Sequence, residues 1–119
     1  LGPVLRDVWH EHVLFRGEAV TGLVDPSACR RDSVACDLAR LVGSFVRDDR
    51  RGWEVALAAY GCVRPLTPDE AALVPVLDRS AVLLSAATWV RRRYLLGEAV
   101  ATGAVTGRLR EAVERMERM

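Results

Sequence analysis

A change in the hydrophobic pattern near residue 30 most constrains how this chain of 119 residues folds. Before it, two short runs rich in Val, Leu and Phe, "VLFRG" and "AVTGLVD", are separated by a turn around Gly17 and predict a β-hairpin. After it, apolar residues recur at helical spacing. Because a lone hairpin is not stable in water, the pattern predicts an α+β, mainly α protein in which a short β-hairpin packs on a helical bundle.

Cap residues and apolar spacing place the first three helices. The stretch "SVACDLARLVGSFVRD" carries a helical apolar stripe and has Ser33 as its N-cap. The stretch "GWEVALAAYGCV" is predicted as a second helix that ends before Pro65. A third helix opens with Thr67 as N-cap, Pro68 at the first helical position and Glu70 three residues after the cap, which is a capping box.

Two more helices are expected towards the C-terminus. Pro75 is expected to interrupt or kink the third helix, and a long helix is predicted from about Asp78 to Leu96. The tail is predicted to be amphipathic, with an apolar face formed by Leu109, Val113 and Met116. The chain after Ser33 is therefore predicted to be almost entirely helical.

Composition excludes several functions. The formal net charge of +1 predicts no binding to nucleic acid or to a membrane surface, and no apolar run reaches the roughly 18 residues that a membrane span needs. All 17 basic residues are arginines, so lysine chemistry is excluded within the chain, and no arginine is expected on a strand that faces phosphate. The cysteines at positions 29, 36 and 62 lack metal-binding spacing and are expected to be reduced, buried thiols of a cytoplasmic protein.

Two aspartates and a histidine around the hairpin form the candidate site. Asp7 precedes the first strand, His12 begins it and Asp25 ends the second strand. An antiparallel hairpin with its turn near residues 17–19 returns position 25 to the same end as position 12, so the three side chains are expected to converge. Carboxylates that converge with a third ligand suit a divalent cation that also holds phosphate oxygens.

The spacing of these residues is similar to that of a known family. Asp7 and His12 stand at the D-x4-N spacing of a kinase catalytic loop, within "DVWHEHVLF", and Asp25 ends "VTGLVD" where kinases carry the aspartate of D-F-G. The stretch "CDLARLV" is similar to the helix start that follows in the family. On these three motifs, residues 4–46 resemble the C-terminal part of the aminoglycoside phosphotransferase family, which has the protein-kinase-like fold.

The resemblance implies a role for each residue. Asp7 would be the catalytic base that accepts the proton of a small-molecule hydroxyl substrate, with ATP as phosphoryl donor. Asp25 would bind Mg²⁺, and His12 would occupy the second metal position, where a nitrogen ligand shifts the preference towards Mn²⁺. Asp37 would brace the catalytic loop by hydrogen bonds, and Trp9 is expected to pack beneath that loop.

The resemblance also implies that half of a nucleotide site is missing. The chain contains no glycine-rich phosphate loop and no lysine, so the N-terminal nucleotide lobe is expected to be absent. Residues 1–119 are then a partial kinase-like C-lobe, with the catalytic loop and hairpin at 1–32 and a helical subdomain at 33–119. The longer enzyme is expected to be a phosphotransferase, and the isolated chain is expected to be inactive.

Two alternatives stay open at the level of sequence. Leu5 replaces a family histidine, His12 replaces an asparagine and Pro26 replaces the phenylalanine of D-F-G, which favours a degenerate, non-catalytic helical interaction module related to kinases. A more remote alternative is a cupin-like metal site formed by His10, His12 and Glu18.

Overall fold

The computed structural model describes residues 1–95 and 103–119, and it confirms the α+β, mainly α class. By its internal contacts the chain forms two compact units, Leu1–Asp78 and Arg79–Met119. The described strands are β1 (Gly2–Val4), β2 (Val13–Arg16), β3 (Ala19–Leu23) and β4 (Arg30–Asp32). The described α-helices are α1 (Val34–Val46), α2 (Arg50–Val63), α3 (Pro68–Val90) and α4 (Gly103–Glu117).

The predicted hairpin is confirmed, and a second strand pair accompanies it. Strands β2 and β3 pair antiparallel with Val13 opposite Leu23, and Gly17 adopts a φ of 60° in the turn between them. Strands β1 and β4 form a separate antiparallel pair in which Val4 lies opposite Arg30. The sequence did not predict this second pair, because each strand has only three residues and β4 reads "RRD", with no apolar alternation.

The core of the first unit forms around one face of α1. Its buried members are Ala35, Leu38, Ala39 and Val42 of α1, together with Val74 of α3. Trp53 and Leu57 of α2 pack against this cluster. The apolar stripe that predicted α1 is thus the face that it buries, since residues three and four positions apart lie on the same side of a helix.

The predicted helix starts are confirmed by their hydrogen bonds. The Ser33 hydroxyl accepts a bond of 3.3 Å from the backbone N–H of Ala35 at the start of α1. In the capping box of α3, the Thr67 hydroxyl accepts from the Glu70 N–H at 3.2 Å, and the Glu70 carboxylate accepts from the Thr67 N–H at 3.0 Å. Both caps satisfy N–H groups that have no partner inside the helix.

The predicted interruption after Pro75 is wrong. Helix α3 runs without a break from Pro68 to Val90, so the third and fourth predicted helices are one. A proline inside a helix removes one backbone hydrogen bond, and here the adjacent Val74, only 1% exposed, buries its side chain in the core. The predicted helix end at Leu96 lies outside the described residues, and the stretch Arg91–Leu95 is a π-helical turn.

The helical stretch Pro68–Leu95 is the one apolar helical stretch of membrane-spanning length among the described residues. Its 28 residues contain an 18-residue window of mean hydropathy 1.4, of which 17% is buried. Among the described residues, this one helix could cross a membrane by length and composition alone, whereas the sequence was expected to contain no apolar run of the roughly 18 residues that a span needs. A single helix of this kind is a weak indication, because core helices of soluble proteins pass the same test.

The cysteine prediction is partly wrong. All three thiols are free, but Cys29 and Cys62 are exposed and only Cys36 is partly buried. Cys29 follows the turn after β3, and Cys62 lies near the exposed end of α2, where neither packs into the core.

Candidate functional site

The candidate site is built on the loop between β1 and β2. The backbone N–H of Asp7 donates to the Leu5 carbonyl at 2.8 Å, which closes a γ-turn over Arg6. Arg6 adopts a φ of 63°, a left-handed conformation that residues with a side chain rarely adopt. The turn is therefore a strained one, and its persistence requires support from its surroundings.

Asp37 of α1 provides that support. Its two carboxylate oxygens accept hydrogen bonds of 2.7 Å each, one from the backbone N–H of Leu5 and the other from that of Arg6. Both N–H groups belong to the strained turn. Hydrogen bonds to a carboxylate are stronger than those between neutral groups, so the first turn of α1 holds the loop in place immediately before Asp7.

His12 and Trp9 form a hydrogen-bonded chain with the loop backbone. The indole N–H of Trp9 donates to Nε2 of His12 at 2.8 Å, and Nδ1 of His12 lies 2.8 Å from the carbonyl oxygen of Asp7. Because Nε2 accepts a hydrogen bond from the indole N–H, a neutral His12 ring carries its proton on Nδ1 and donates a hydrogen bond to the main-chain carbonyl of Asp7. Both ring nitrogens are therefore engaged, and metal ligation by His12 requires loss of the Trp9 bond.

His10 packs against α1. Its backbone N–H donates to the Ser44 hydroxyl at 2.8 Å, and its ring lies edge-on to Phe45 with ring centroids 5.9 Å apart. Its Nδ1 atom is buried and has no hydrogen-bond partner among the described residues. With His12 already engaged and the chain mainly helical, the cupin-like hypothesis has no support.

Asp25 lies at the end of the hairpin, one residue beyond the last backbone hydrogen bond between its two strands. The Val24 N–H donates to the His12 carbonyl at 3.0 Å, so positions 12 and 24 are adjacent. Strand β3 ends at Leu23, two residues earlier than predicted, and Asp25 adopts a left-handed conformation before the short turn Pro26–Ala28. One of its carboxylate oxygens accepts a bond of 2.7 Å from the Ser27 hydroxyl.

The metal cluster expected from the sequence remains a prediction. Within residues 1–95 and 103–119, no three His, Cys, Asp or Glu side chains are grouped as a metal site. Hydrogen bonds connect Asp7, Trp9 and His12, while Asp25 is exposed at the hairpin end. Its carboxylate is a hard oxygen ligand of the kind that Mg²⁺ prefers.

Three arginines around Asp7 were not identified from the sequence. An open cavity of about 440 Å³ is lined by Arg6, Asp7, Ala28, Arg30 and Arg40. One oxygen of the half-exposed Asp7 carboxylate forms an ion pair with the Arg40 guanidinium. Arg30 belongs to β4 and lines this cavity, whereas the sequence led us to expect no arginine on a strand that faces phosphate. The one available signal was the spacing of Arg40, three residues after Asp37 and so on the same side of α1.

Comparison with known proteins identifies a family and several relatives that are similar to this chain. Residues 1–76 match the family model described as the phosphotransferase enzyme family. The homoserine kinase of Methylobacterium sp. (strain 4-46) is 37% identical over 90 residues, and that of Methylorubrum populi is 36% identical over 89 residues; each alignment covers 69% of this chain. The homoserine kinase of Beijerinckia indica is 33% identical over 92 residues, or 73% of this chain.

The alignments cover only a part of those relatives. The chain spans 27% of the length of the first two homoserine kinases and 29% of the third. No solved structure matches the chain.

Proposed function

The chain belongs to the phosphotransferase enzyme family, and from that premise we propose that the complete polypeptide transfers the γ-phosphoryl group of ATP to a hydroxyl group of a small molecule. The observation that carries this proposal is the support of the Asp7 loop, in which Asp37 accepts from two successive backbone N–H groups. Phosphoryl transfer depends mainly on positioning, and a strained, braced loop positions a carboxylate.

Asp7 acts as the base in this proposal. Its Oδ1 is paired with Arg40, which leaves Oδ2 to accept a hydrogen bond from the substrate hydroxyl. As the bond between the substrate oxygen and the γ-phosphorus forms, the bond from that phosphorus to the bridging oxygen of ADP breaks, and the hydroxyl proton passes to Asp7. Its main-chain carbonyl is fixed by His12, so the segment is restrained on both sides of the carboxylate.

Asp25 is the metal ligand in this proposal. Its exposed carboxylate has one oxygen bonded to Ser27, and the other has no hydrogen-bond partner within the described residues. Bound Mg²⁺ would neutralise charge on the phosphate oxygens. The prediction that His12 binds a second metal, Mg²⁺ or Mn²⁺, requires that it release the Trp9 N–H.

The remaining nucleotide contacts are assigned to a part of the polypeptide outside this chain. The apolar side chains of Leu14, Phe15 and Val20 on the hairpin are 47–60% exposed, which suits a surface that another segment covers. We therefore propose that residues 1–119 are the lower part of a kinase-like C-lobe and that the isolated chain is inactive. A cytoplasmic location stays a prediction.

The substrate is proposed to be a small hydroxyl compound, and homoserine is the first to test because three relatives carry the name homoserine kinase. The test measures ADP release by the complete polypeptide with Mg-ATP. Asp7→Asn is expected to lower turnover at least about 100-fold while nucleotide affinity is retained. Asp25→Asn is expected to weaken the binding of metal–nucleotide itself. Unchanged turnover in Asp7→Asn would exclude Asp7 as the base.

The alternative of a non-catalytic interaction module is favoured by one observation, the engagement of both His12 ring nitrogens. It predicts that the complete polypeptide binds neither Mg-ATP nor Mn-ATP. Isothermal titration with each nucleotide complex separates the two functions, because micromolar binding by the complete polypeptide is expected only of the enzyme.

A further inference from the structure

We propose that Arg6, Arg30 and Arg40 form a binding site for an oxyanion beside Asp7. The oxyanion is one of two groups: a carboxylate or phosphate group of the acceptor, or the phosphoryl group that is being transferred. The inference deepens the proposed function and rests on it for the role of Asp7. The group that the site recognises is negatively charged and lies within reach of the base.

The first support is the composition of the cavity wall. Three arginines and a single aspartate line the same open space, and the remaining lining residue, Ala28, is uncharged. The chain as a whole carries a formal net charge of only +1, so this local excess of positive charge does not reflect a basic protein. An excess of one sign in a cleft raises the local concentration of ligands of the opposite sign.

The second support is that two of the arginines form no ion pair in the described part of the chain. Arg40 is paired with Asp7, but Arg6 and Arg30 have no carboxylate partner within residues 1–95 and 103–119. A guanidinium presents five N–H donors in a planar fork that matches the oxygens of a carboxylate or phosphate. These two side chains therefore have donors available for a ligand.

The third support is the rigidity of the backbone beneath them. The N–H of Arg6 is held by Asp37 at 2.7 Å, and Arg30 lies on β4 opposite Val4 of β1. Val4 is 5% exposed, so the strand pair is anchored in the core. Fixed backbone positions lower the entropy lost when a ligand is bound.

The positive charges of the residues that line the cavity also disfavour a cationic acceptor. A polyamine entering the cavity would meet three positive charges, and the only carboxylate among its lining residues is already paired with Arg40. Like charges brought together cost binding free energy, whereas an oxyanion gains charge-assisted hydrogen bonds.

The first test measures binding of inorganic phosphate to the complete polypeptide by isothermal titration at constant ionic strength. Arg30→Gln is expected to weaken binding at least about tenfold, the loss of one bond to a charged group. Arg31→Gln is the matched control, since Arg31 is the next residue of β4, points to its opposite face and does not line the cavity. Absence of phosphate binding by the wild type, or equal losses in both variants, would overturn the proposal.

The second test identifies the source of the oxyanion by steady-state kinetics with L-homoserine and with L-homoserinol, which lacks the carboxylate. If the acceptor supplies it, Arg30→Gln raises KM for homoserine about tenfold and leaves KM for homoserinol and ATP unchanged. If the phosphoryl group supplies it, the variant lowers kcat or raises KM for ATP with both acceptors. Arg30-dependent phosphate binding without any phosphoryl transfer would refute the proposed function and leave the oxyanion site standing.

Discussion

The side chain of Asp37 accepts a hydrogen bond of 2.7 Å from the backbone N–H of Arg6, which lies 31 residues earlier in the chain. Arg6 is the residue with a φ of 63° in the turn before Asp7. A left-handed conformation at such a residue costs about 1–3 kcal/mol, and it persists only where neighbouring groups hold it. Helix α1, which buries one face in the core, thus holds a strained loop that carries the proposed base.

Replacing Asp37 by Asn is expected to destabilise the protein by about 1–3 kcal/mol, because one of the two backbone N–H groups would face an amide NH₂ instead of an oxygen. Chemical denaturation measures this loss. In the complete polypeptide the same change should lower kcat while KM changes little. The control is Glu18→Gln at the exposed hairpin turn, which should change neither quantity, and an equal effect of both variants would contradict the assignment.

Glu70 is expected to make stability depend on pH in the acid range. Its hydrogen bonds with Arg64 and with the backbone of Thr67 lower the pKa of Glu70 from 4.5 to about 2. A carboxyl whose pKa is lowered by folding stabilises the folded state at pH values above its pKa in the unfolded chain. This contribution is lost as the pH falls from 4.5 towards 2.

Glu70→Gln should therefore melt at a lower temperature than the wild type at neutral pH, and the difference should shrink as pH falls through that range. Thermal melting monitored by circular dichroism at a series of pH values measures it. Asp69→Asn, in the same helical turn, controls for the general effect of a negative charge near the start of a helix. A difference that stays constant to pH 2 would show that the ion pair with Arg64 contributes nothing.

Two glycines of α2 should respond in opposite directions to substitution by alanine. A Cβ at position 52 would lie 2.7 Å from Val46 Cγ1, too close for carbon atoms, so Gly52→Ala is expected to destabilise by about 1–3 kcal/mol. A Cβ at position 61 would meet nothing within 4 Å, so Gly61→Ala should stabilise by about 0.5–1 kcal/mol through helix propensity. Urea denaturation of both variants is the measurement, and stabilisation by Gly52→Ala would contradict the described packing.

Cys36 should react more slowly with iodoacetamide than Cys29. Burial and the negative charge of Asp32 raise the pKa of the Cys36 thiol, which leaves less of the reactive thiolate at neutral pH. Cys29 is exposed and serves as the internal reference in the same sample. Mass spectrometry of peptides from a time course measures both rates, and equal rates would contradict the predicted protection.

Local sequence determined much of the secondary structure. Three patterns depend on residues that are close in the chain: the apolar runs on either side of Gly17, the apolar stripe of α1 and the capping box at Thr67. Such patterns can be recognised without knowing the fold. The same is true of the motif that places Asp7, His12 and Asp25, since it is defined by spacing. The predicted interruption at Pro75 is wrong, since α3 continues through the proline while the neighbouring Val74 is buried in the core, a contact that the local sequence does not reveal.

Only the tertiary structure decided the partners of the site residues. The pair β1–β4, the ion pair of Asp7 with Arg40 and the presence of Arg30 in the same cavity all join positions more than twenty residues apart. Charged residues such as arginine occur throughout the chain, so their identity does not indicate which of them meet. That depends on how strands and helices approach one another, and the approach is set by burial of the apolar face of α1, whose energy exceeds that of any single polar contact.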